Sequence, residues 1–149
     1  MAYWLVKTEP EVYSIDDLRQ DSSTAWDSVR NYQARNYLTS MVRGDEVLIY
    51  HSNSTPPGIV GLAVVSKLAF PDALQFEKKS GYYDPKATIE NPRWFSPELK
   101  FKKKFSRLIS LEELRGEKKL EKMVLLQRGS RLSVHPVTPA EYEHILAVV

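Results

Sequence analysis

Residues 46–65, EVLIYHSNSTPPGIVGLAVV, place two apolar runs on either side of a polar loop that contains two prolines. The runs, 46–52 and 59–65, are rich in β-branched and aromatic residues, which is typical of strands. We therefore predict that they pair in a sheet. Gly61 interrupts the second run, and a glycine within a strand indicates a bulge or the close approach of another backbone.

Shorter strands and helices are predicted on both sides of this pair. Strands are expected at Tyr3–Lys7, Arg93–Phe105 and Arg131–Val134, and helices at Ser14–Gln20, Asn31–Ser40, from Ser110, at about Lys118–Leu126 and at Thr138–Ala147. Ser14 is a helix cap followed by two carboxylates, and Thr138 opens a capping box with Pro139 at the first helical position. Regular βαβ units are few. We therefore predict an α+β fold: a mostly antiparallel sheet or barrel surrounded by short helices, with residues 1–149 as one domain.

The composition narrows the functional classes. The chain has no cysteine, which excludes disulfides, thiolate metal sites and a cysteine nucleophile. Lys7, Glu9 and Glu11 interrupt the start too early for a signal peptide, and no apolar run approaches the roughly 20 residues of a membrane span. We therefore expect a cytoplasmic protein, or a nuclear one in a eukaryote, without a membrane partner.

The positive charge is concentrated in one segment. The net charge of +2 is too small to indicate a partner, but residues 99–131 carry 11 basic and 4 acidic side chains. Such a segment is typical of a protein that turns one face towards phosphate, although a solvated strand or helix surface gives the same pattern. In the predicted strand, Leu99, Phe101 and Phe105 fall on one face and Lys100, Lys102 and Lys104 on the other.

The sequence holds no recognisable catalytic motif. The three histidines are His51, His135 and His144, and none is spaced from another as a metal pair would be. His51 precedes Ser52, but adjacent strand residues point to opposite faces. Asp27 and Asp84 could act as an acid–base pair only if the fold joined them. We therefore expect no enzyme activity, no metal and no cofactor.

A binding site is better indicated, by the segment 26–36, WDSVRNYQARN. Its Trp offers a flat face for stacking, and its Arg and Asn side chains offer planar hydrogen-bonding groups, which together suit a nucleobase. Alternatively, Trp26 is a core aromatic and the following residues cap a helix. Other aromatic residues in or beside polar loops are Tyr50, Tyr82, Tyr83 and Trp94.

Almost the whole chain resembles the EVE domain, a relative of PUA, ASCH and YTH domains. The matching segments are 3–10 (YWLVKTEP), 13–18 (YSIDDL), 26–36, 44–45 (GD), 50–53 (YHSN), 57–61 (PGIVG), 83–85 (YDP), 92–94 (PRW) and 128–134 (RGSRLSV). Two positions depart from the family: Ser28 replaces a usual Gly, and Thr8 replaces a common Ser. The change at Ser28 could narrow a pocket beside Trp26 or add a hydroxyl to it.

The resemblance implies a PUA-like pseudo-barrel and a non-enzymatic reader of a modified base in DNA or RNA. Together with the residue types it gives these base-binding candidates: Lys7, Thr8, Trp26, Val29, Arg30, Asn31, Arg35, Tyr50, Ser52, Asn53, Pro57 and Trp94. The candidates for phosphate contact are Arg93, Arg128 and Arg131. YTH domains, which read methylated adenine, likewise pair a Lys with a small hydroxyl residue after the first strand and have an Arg-Trp pair.

Two other classes of function compete with the reader. An RNA-modifying or nucleotide hydrolase would use the same pocket with Asp27 or His51, and would need those groups to converge with a nucleophile or a metal. A protein-interaction module would have no pocket. The sequence does not distinguish DNA from RNA, and it does not specify the modification or the oligomeric state.

Overall fold

The computed structural model describes all 149 residues and consists of one mixed sheet with helices on both faces. The strands are β1 (Tyr3–Thr8), β2 (Ser23–Ala25), β3 (Glu46–His51), β4 (Gly58–Pro71), β5 (Phe95–Ser110) and β6 (Val134–Val137). The helices are α1 (Ile15–Asp21), α2 (Tyr32–Ser40), α3 (Leu111–Arg115) and α4 (Pro139–Val148), with 3₁₀ turns at Ala73–Phe76, Lys118–Leu120 and Val124–Leu126.

The sheet has the strand order β2-β5-β4-β3-β1-β6. Strands β1 and β3 are parallel, and the other four pairs are antiparallel. The α+β class and the mostly antiparallel sheet are therefore confirmed, as is the pairing of the two runs in residues 46–65. The long strands β4 and β5 contain four register shifts, which bend the strands and increase the twist of the sheet.

Two predictions of secondary structure were wrong. The strand expected at Arg131–Val134 lies three residues later, at Val134–Val137. Pro136 disfavours a strand because proline has no backbone N–H to donate to a neighbouring strand. However, β6 is an edge strand, and its free edge requires no such hydrogen bond. The helix expected at about Lys118–Leu126 is instead two separate 3₁₀ turns.

Two cores lie on opposite faces of the sheet, because alternate residues of each strand point to opposite sides. In β1, Trp4 and Val6 join one core, whereas Leu5 joins the other. The first core also holds the apolar residues of α1 and α2, and the second is covered by α3, α4 and the 3₁₀ turns. Burial on both faces fixes the register of the sheet, since a slip by one residue would exchange the two sets.

The predicted helix caps are present. Ser14 and Asp17 form a reciprocal capping box, and Thr138 and Glu141 form another. Asn31 accepts a hydrogen bond from the backbone N–H of Ala34 and caps α2. The side of α2 that faces the first core is apolar: Ala34, Leu38 and Met41 are buried, and Tyr37 packs against them half-buried.

Gly61 lies where two chain segments come too close for a side chain. A Cβ at this position would overlap the carbonyl oxygen of Lys103 and would lie 3.0 Å from Cδ1 of Ile15. The register of β4 against β5 shifts between Ile59 and Gly61. Both the bulge and the close backbone approach expected from this glycine are confirmed.

Gly61→Ala is expected to lower the free energy of unfolding by about 1–3 kcal/mol, the usual cost of overpacking a core. The matched control is Gly81→Ala, because a Cβ at Gly81 meets nothing within 4 Å. Urea unfolding followed by circular dichroism measures both variants. Equal stability of the two would contradict the close approach.

Candidate functional site

A cavity of about 550 Å³ lies at the C-terminal end of β1. Its wall comes from β1, the loop before α1, strand β2 and the segment that follows it, with one residue each from the 77–94 loop and the stretch before β6. The lining residues are Lys7, Thr8, Val12, Tyr13, Thr24, Ala25, Trp26, Asp27, Ser28, Val29, Arg30, Tyr82 and Ser133. The cavity therefore combines an aromatic and aliphatic surface with hydroxyl and charged groups.

Trp26 is both a core residue and a wall of the cavity. Only 7% of it is exposed, and Tyr13 meets its ring edge-on with the centroids 6.2 Å apart. The indole N–H groups of Trp4 and Trp94 donate to Asp45 and Asp84, whereas that of Trp26 has no protein acceptor. Trp26 thus presents a fixed aromatic surface together with an available donor.

The buried carboxylate of Asp72 fixes the segment after Trp26. One Asp72 oxygen accepts the backbone N–H of Ser28 and Nη1 of Arg30, both at 2.9 Å, and the other accepts the N–H of Leu74 at 2.8 Å. Only 1% of Asp72 is exposed. Three donors therefore satisfy a carboxylate that would otherwise be costly to bury.

Ser28 adopts a left-handed backbone conformation with φ of 71°. This conformation costs a residue with a Cβ roughly 1–2 kcal/mol, a cost that a Gly at this position would avoid. The Ser28 hydroxyl is 3.1 Å from Oδ1 of Asp27 and donates to it. The substitution thus adds a hydroxyl beside the carboxylate of the cavity.

A layered arrangement of arginines and aromatic rings adjoins the cavity. Tyr32 stacks on Trp94 with the centroids 5.0 Å apart, and the guanidinium of Arg35 lies 4.8 Å from the Tyr32 ring. Arg30 lies 5.2 Å from the Trp94 ring and donates two hydrogen bonds to the carbonyl of Tyr82. Cation–π contacts and hydrogen bonds thus hold the long 72–94 segment against α2.

Lys7 and Asp27 both line the cavity, but only Asp27 offers it a free charged group. The ammonium of Lys7 lies 5.9 Å from the ring centroid of Tyr50, which belongs to the second core, and burial lowers the pKa of Lys7. The pKa of Asp27 is raised, chiefly by partial desolvation, while the Ser28 hydroxyl acts in the opposite direction. Asp27 remains available to a ligand, because its side chain accepts a hydrogen bond only from Ser28.

Five of the predicted base-binding residues line the cavity: Lys7, Thr8, Trp26, Val29 and Arg30. Seven do not: Asn31, Arg35, Tyr50, Ser52, Asn53, Pro57 and Trp94. Four of these seven have structural contacts that explain their positions. Asn31 caps α2, Arg35 donates to the carbonyl of Arg93, Trp94 is buried against Tyr32, and Tyr50 lies in the second core with 4% exposed.

The other three follow β3 or precede β4. Ser52 donates its backbone N–H to Thr8, and the side chain of Asn53 donates to Glu9. Pro57 lines a separate small groove with Ser110. Trp94 therefore contributes to the site indirectly: it lies outside the cavity wall, and its ring contacts the guanidinium of Arg30.

The cavity also contains residues outside the predicted base-binding set. Tyr13 and Ser133 come from segments that resemble the EVE domain, and Asp27 and Ser28 lie in the segment 26–36. The sequence around these four residues therefore indicated a binding site. Their other lining partners are Val12, Thr24, Ala25 and Tyr82. Thr24 and Ala25 belong to β2, a three-residue strand too short to recognise from periodicity.

The groups invoked for hydrolysis do not converge. Nε2 of His51 accepts the backbone N–H of Ile15 at 3.1 Å, burial lowers the pKa of His51, and the residue is absent from the cavity wall. Asp84 accepts from the indole of Trp94 and does not line the cavity with Asp27. The structure contains no group of three His, Cys, Asp or Glu side chains placed to hold a metal ion.

The basic segment is partly neutralised by neighbouring carboxylates. Lys102 pairs with Glu46, Lys104 with Asp16, and Arg107 with Glu113. Arg93 also has protein partners, because its Nε is 3.6 Å from a carboxylate oxygen of Asp84 and its Nη2 donates to Tyr32. Arg128 and Arg131 are exposed and have no carboxylate partner.

No helix of the structure is long and apolar enough to cross a membrane.

The EVE domain model matches residues 2–148, and the chain therefore belongs to the EVE-domain family. Human thymocyte nuclear protein 1 is 40% identical over 166 residues, which cover 99% of this chain and 73% of that protein. A crystal structure of a Pseudomonas syringae protein is 44% identical, with a TM-score of 0.96 and 99% of each chain covered. The crystal structure of human THYN1 in complex with 5-methylcytosine-containing DNA is 40% identical, with a TM-score of 0.94 and coverage of 99% and 97%.

Asp72→Ala is expected to lower the free energy of unfolding by at least about 1.5–3 kcal/mol, the worth of one hydrogen bond to a charged group. Two further backbone N–H groups lose their acceptor, so the wall around Ser28 should also loosen. Urea unfolding measures the loss. Asp16→Ala is the control, because Asp16 forms only exposed ion pairs and should change stability less.

Proposed function

We propose that this protein is a nucleic-acid-binding module that takes a modified nucleobase into the cavity beside Trp26. The observation that carries the proposal is a fixed indole wall that faces a cavity with unpaired donors and acceptors. The first candidate ligand is 5-methylcytosine in DNA, because a relative of 40% identity is known in complex with DNA that contains this base.

The cavity offers the contacts that an extruded base needs. Leaving the stack costs a base a few kcal/mol, and stacking on an aromatic side chain returns about 1–3 kcal/mol. A methyl group adds about 0.8 kcal/mol when it is buried against apolar atoms. Val12, Tyr13 and Val29 supply an aliphatic and aromatic surface for that methyl group.

We propose that binding, and not catalysis, is the role of the cavity. His51 is held by α1 outside the wall, and Thr8 donates its hydroxyl to the carbonyl of Tyr13 at 2.7 Å. The hydroxyl of Ser28 is paired with Asp27, but no histidine lines the cavity to act as a base beside any of its hydroxyls. Incubation with oligonucleotides should release neither free base nor cleaved strand, and turnover abolished by Asp27→Asn would overturn this proposal.

Arg128 and Arg131 are the proposed phosphate contacts. Both are exposed and unpaired, and the chain continues from Arg131 to Ser133 in the cavity wall. A strand whose base enters the cavity would therefore pass close to them. Arg93 is not proposed as a phosphate contact, because its guanidinium already contacts Asp84 and Tyr32.

Trp26→Phe is expected to weaken binding of a 5-methylcytosine oligonucleotide and to reduce its preference over the cytosine form. Complete loss of the stacking face would lower the affinity by about 5- to 150-fold, and Trp26→Phe should cause part of that loss. Fluorescence anisotropy measures both affinities. Phe is used because Trp26→Ala would cost about 3–5 kcal/mol of stability.

The control is Trp4→Phe, which replaces an equally buried tryptophan whose indole is bound to Asp45. It should lower stability without changing the preference for the modified base. A preference that is unchanged in Trp26→Phe would remove Trp26 from the reading site.

Arg128→Gln and Arg131→Gln are expected to weaken the binding of modified and unmodified oligonucleotides equally, because phosphate contacts carry no base information. Each lost contact should lower the slope of log affinity against log salt by about one unit. Binding titrations between 50 and about 200 mM salt measure the slope. Arg43→Gln is the control, since Arg43 is exposed and does not line the cavity. An altered base preference with an unchanged slope would reverse the assignment of the two surfaces.

A further inference from the structure

The cavity wall carries a carboxylate that the protein leaves partly unpaired. Asp27 accepts from the Ser28 hydroxyl through Oδ1, while Oδ2 has no partner. Asp27 lines the cavity, and no salt bridge neutralises it. Since an unpaired charge is costly to desolvate, a ligand that donates a hydrogen bond to Oδ2 would gain from the contact.

A carboxylate in the wall discriminates between base edges, because an ionised carboxylate only accepts hydrogen bonds. Cytosine presents its 4-amino group as a donor beside acceptors at N3 and O2. Thymine carries the same 5-methyl group as 5-methylcytosine but presents O4, an acceptor, in place of the amino group. A carboxylate facing position 4 would therefore accept one base and repel the other.

We propose that Asp27 accepts a hydrogen bond from the exocyclic amino group of the bound base. The cavity then selects 4-aminopyrimidines, such as 5-methylcytosine, against 5-methyluracil, which is thymine. This inference rests on the proposed function and adds to it the residue that reads position 4 of the base. Aspartate is a general partner for the cytosine amino group, and one such contact discriminates by about 5- to 150-fold.

Ser28 is a positioning residue for Asp27. Its backbone N–H is fixed by Asp72 at 2.9 Å, and its hydroxyl donates to Oδ1 of Asp27 at 3.1 Å. The hydroxyl therefore leaves Oδ2 as the available acceptor. Ser28→Gly removes this hydrogen bond and fits the positive φ without strain.

The test compares duplexes that carry 5-methylcytosine, cytosine or thymine at one position, opposite an abasic site so that base pairing does not differ. Fluorescence anisotropy gives the affinity of each. The wild type should prefer 5-methylcytosine to thymine by 10-fold or more, and Asp27→Asn should reduce this ratio to about 3-fold or less, because an amide can also donate to O4. The ratio for Ser28→Gly should lie between those of the wild type and of Asp27→Asn.

Glu11→Gln is the matched control. It removes one negative charge from an exposed residue that directly precedes the cavity residues Val12 and Tyr13 but does not line the cavity. Its ratio should equal that of the wild type, which separates base reading from a general change in electrostatic attraction. Asp27 is exposed and its side chain makes one hydrogen bond, so Asp27→Asn should unfold at the wild-type temperature.

The outcomes separate this inference from the proposed function. A wild type that does not distinguish 5-methylcytosine from thymine, or an Asp27→Asn protein that keeps the full ratio, overturns the inference. In either case a preference for 5-methylcytosine over cytosine leaves the proposed function intact. A wild type without that preference overturns the proposed function itself.

Discussion

The buried carboxylate of Asp72 determines the shape of the site. It accepts hydrogen bonds from Ser28, Arg30 and Leu74, and its own backbone N–H donates to the carbonyl of Trp94. Gln75, also fully buried, extends this network: its amide nitrogen donates to the carbonyls of Asp72 and Trp94, and its amide oxygen accepts two backbone N–H groups. Three separate chain segments thus meet at one polar centre whose groups are mutually satisfied.

This polar centre allows an irregular chain to form a rigid wall. The segment after β2 has no regular secondary structure until α2, and Ser28 within it adopts a left-handed conformation. Such backbone persists only where surrounding contacts hold it. Arg30 adds a second constraint by joining Asp72, the Tyr82 carbonyl and the face of Trp94. The result is a cavity wall in which one carboxylate oxygen, Oδ2 of Asp27, has no partner within the protein.

Much of the fold follows from local sequence signals. Helix caps at Ser14, Asn31 and Thr138, the apolar runs of β3 and β4, and the bulge at Gly61 all have short-range causes. The shift of β6 has another origin, because Pro136 is tolerated only since long-range topology places this strand at an edge. The short strand β2 likewise exists through its pairing with β5 and has no periodicity of its own.

The site was harder to predict than the fold, because the same residue types serve binding and structure. Trp26 and Trp94 are both tryptophans beside polar residues, but only Trp26 lines the cavity, and Trp94 donates to Asp84. Asn31 is a helix cap, and Arg35 binds a backbone carbonyl. The residue types indicated recognition of a planar ligand. Whether a given side chain lines the cavity or supports the fold depends on contacts between residues more than 40 positions apart, such as Arg30 and Asp72.

Entry of a modified base into the cavity beside Trp26 can be observed directly through the indole N–H resonances. The protein has three tryptophans, of which Trp4 and Trp94 donate to carboxylates while Trp26 has no protein acceptor. In ¹⁵N-labelled protein titrated with matched 5-methylcytosine and cytosine oligonucleotides, the Trp26 indole signal should move further with the methylated form, while the Trp4 signal stays in place. Saturable binding of both oligonucleotides without any shift of the Trp26 signal would show that the base does not enter this cavity.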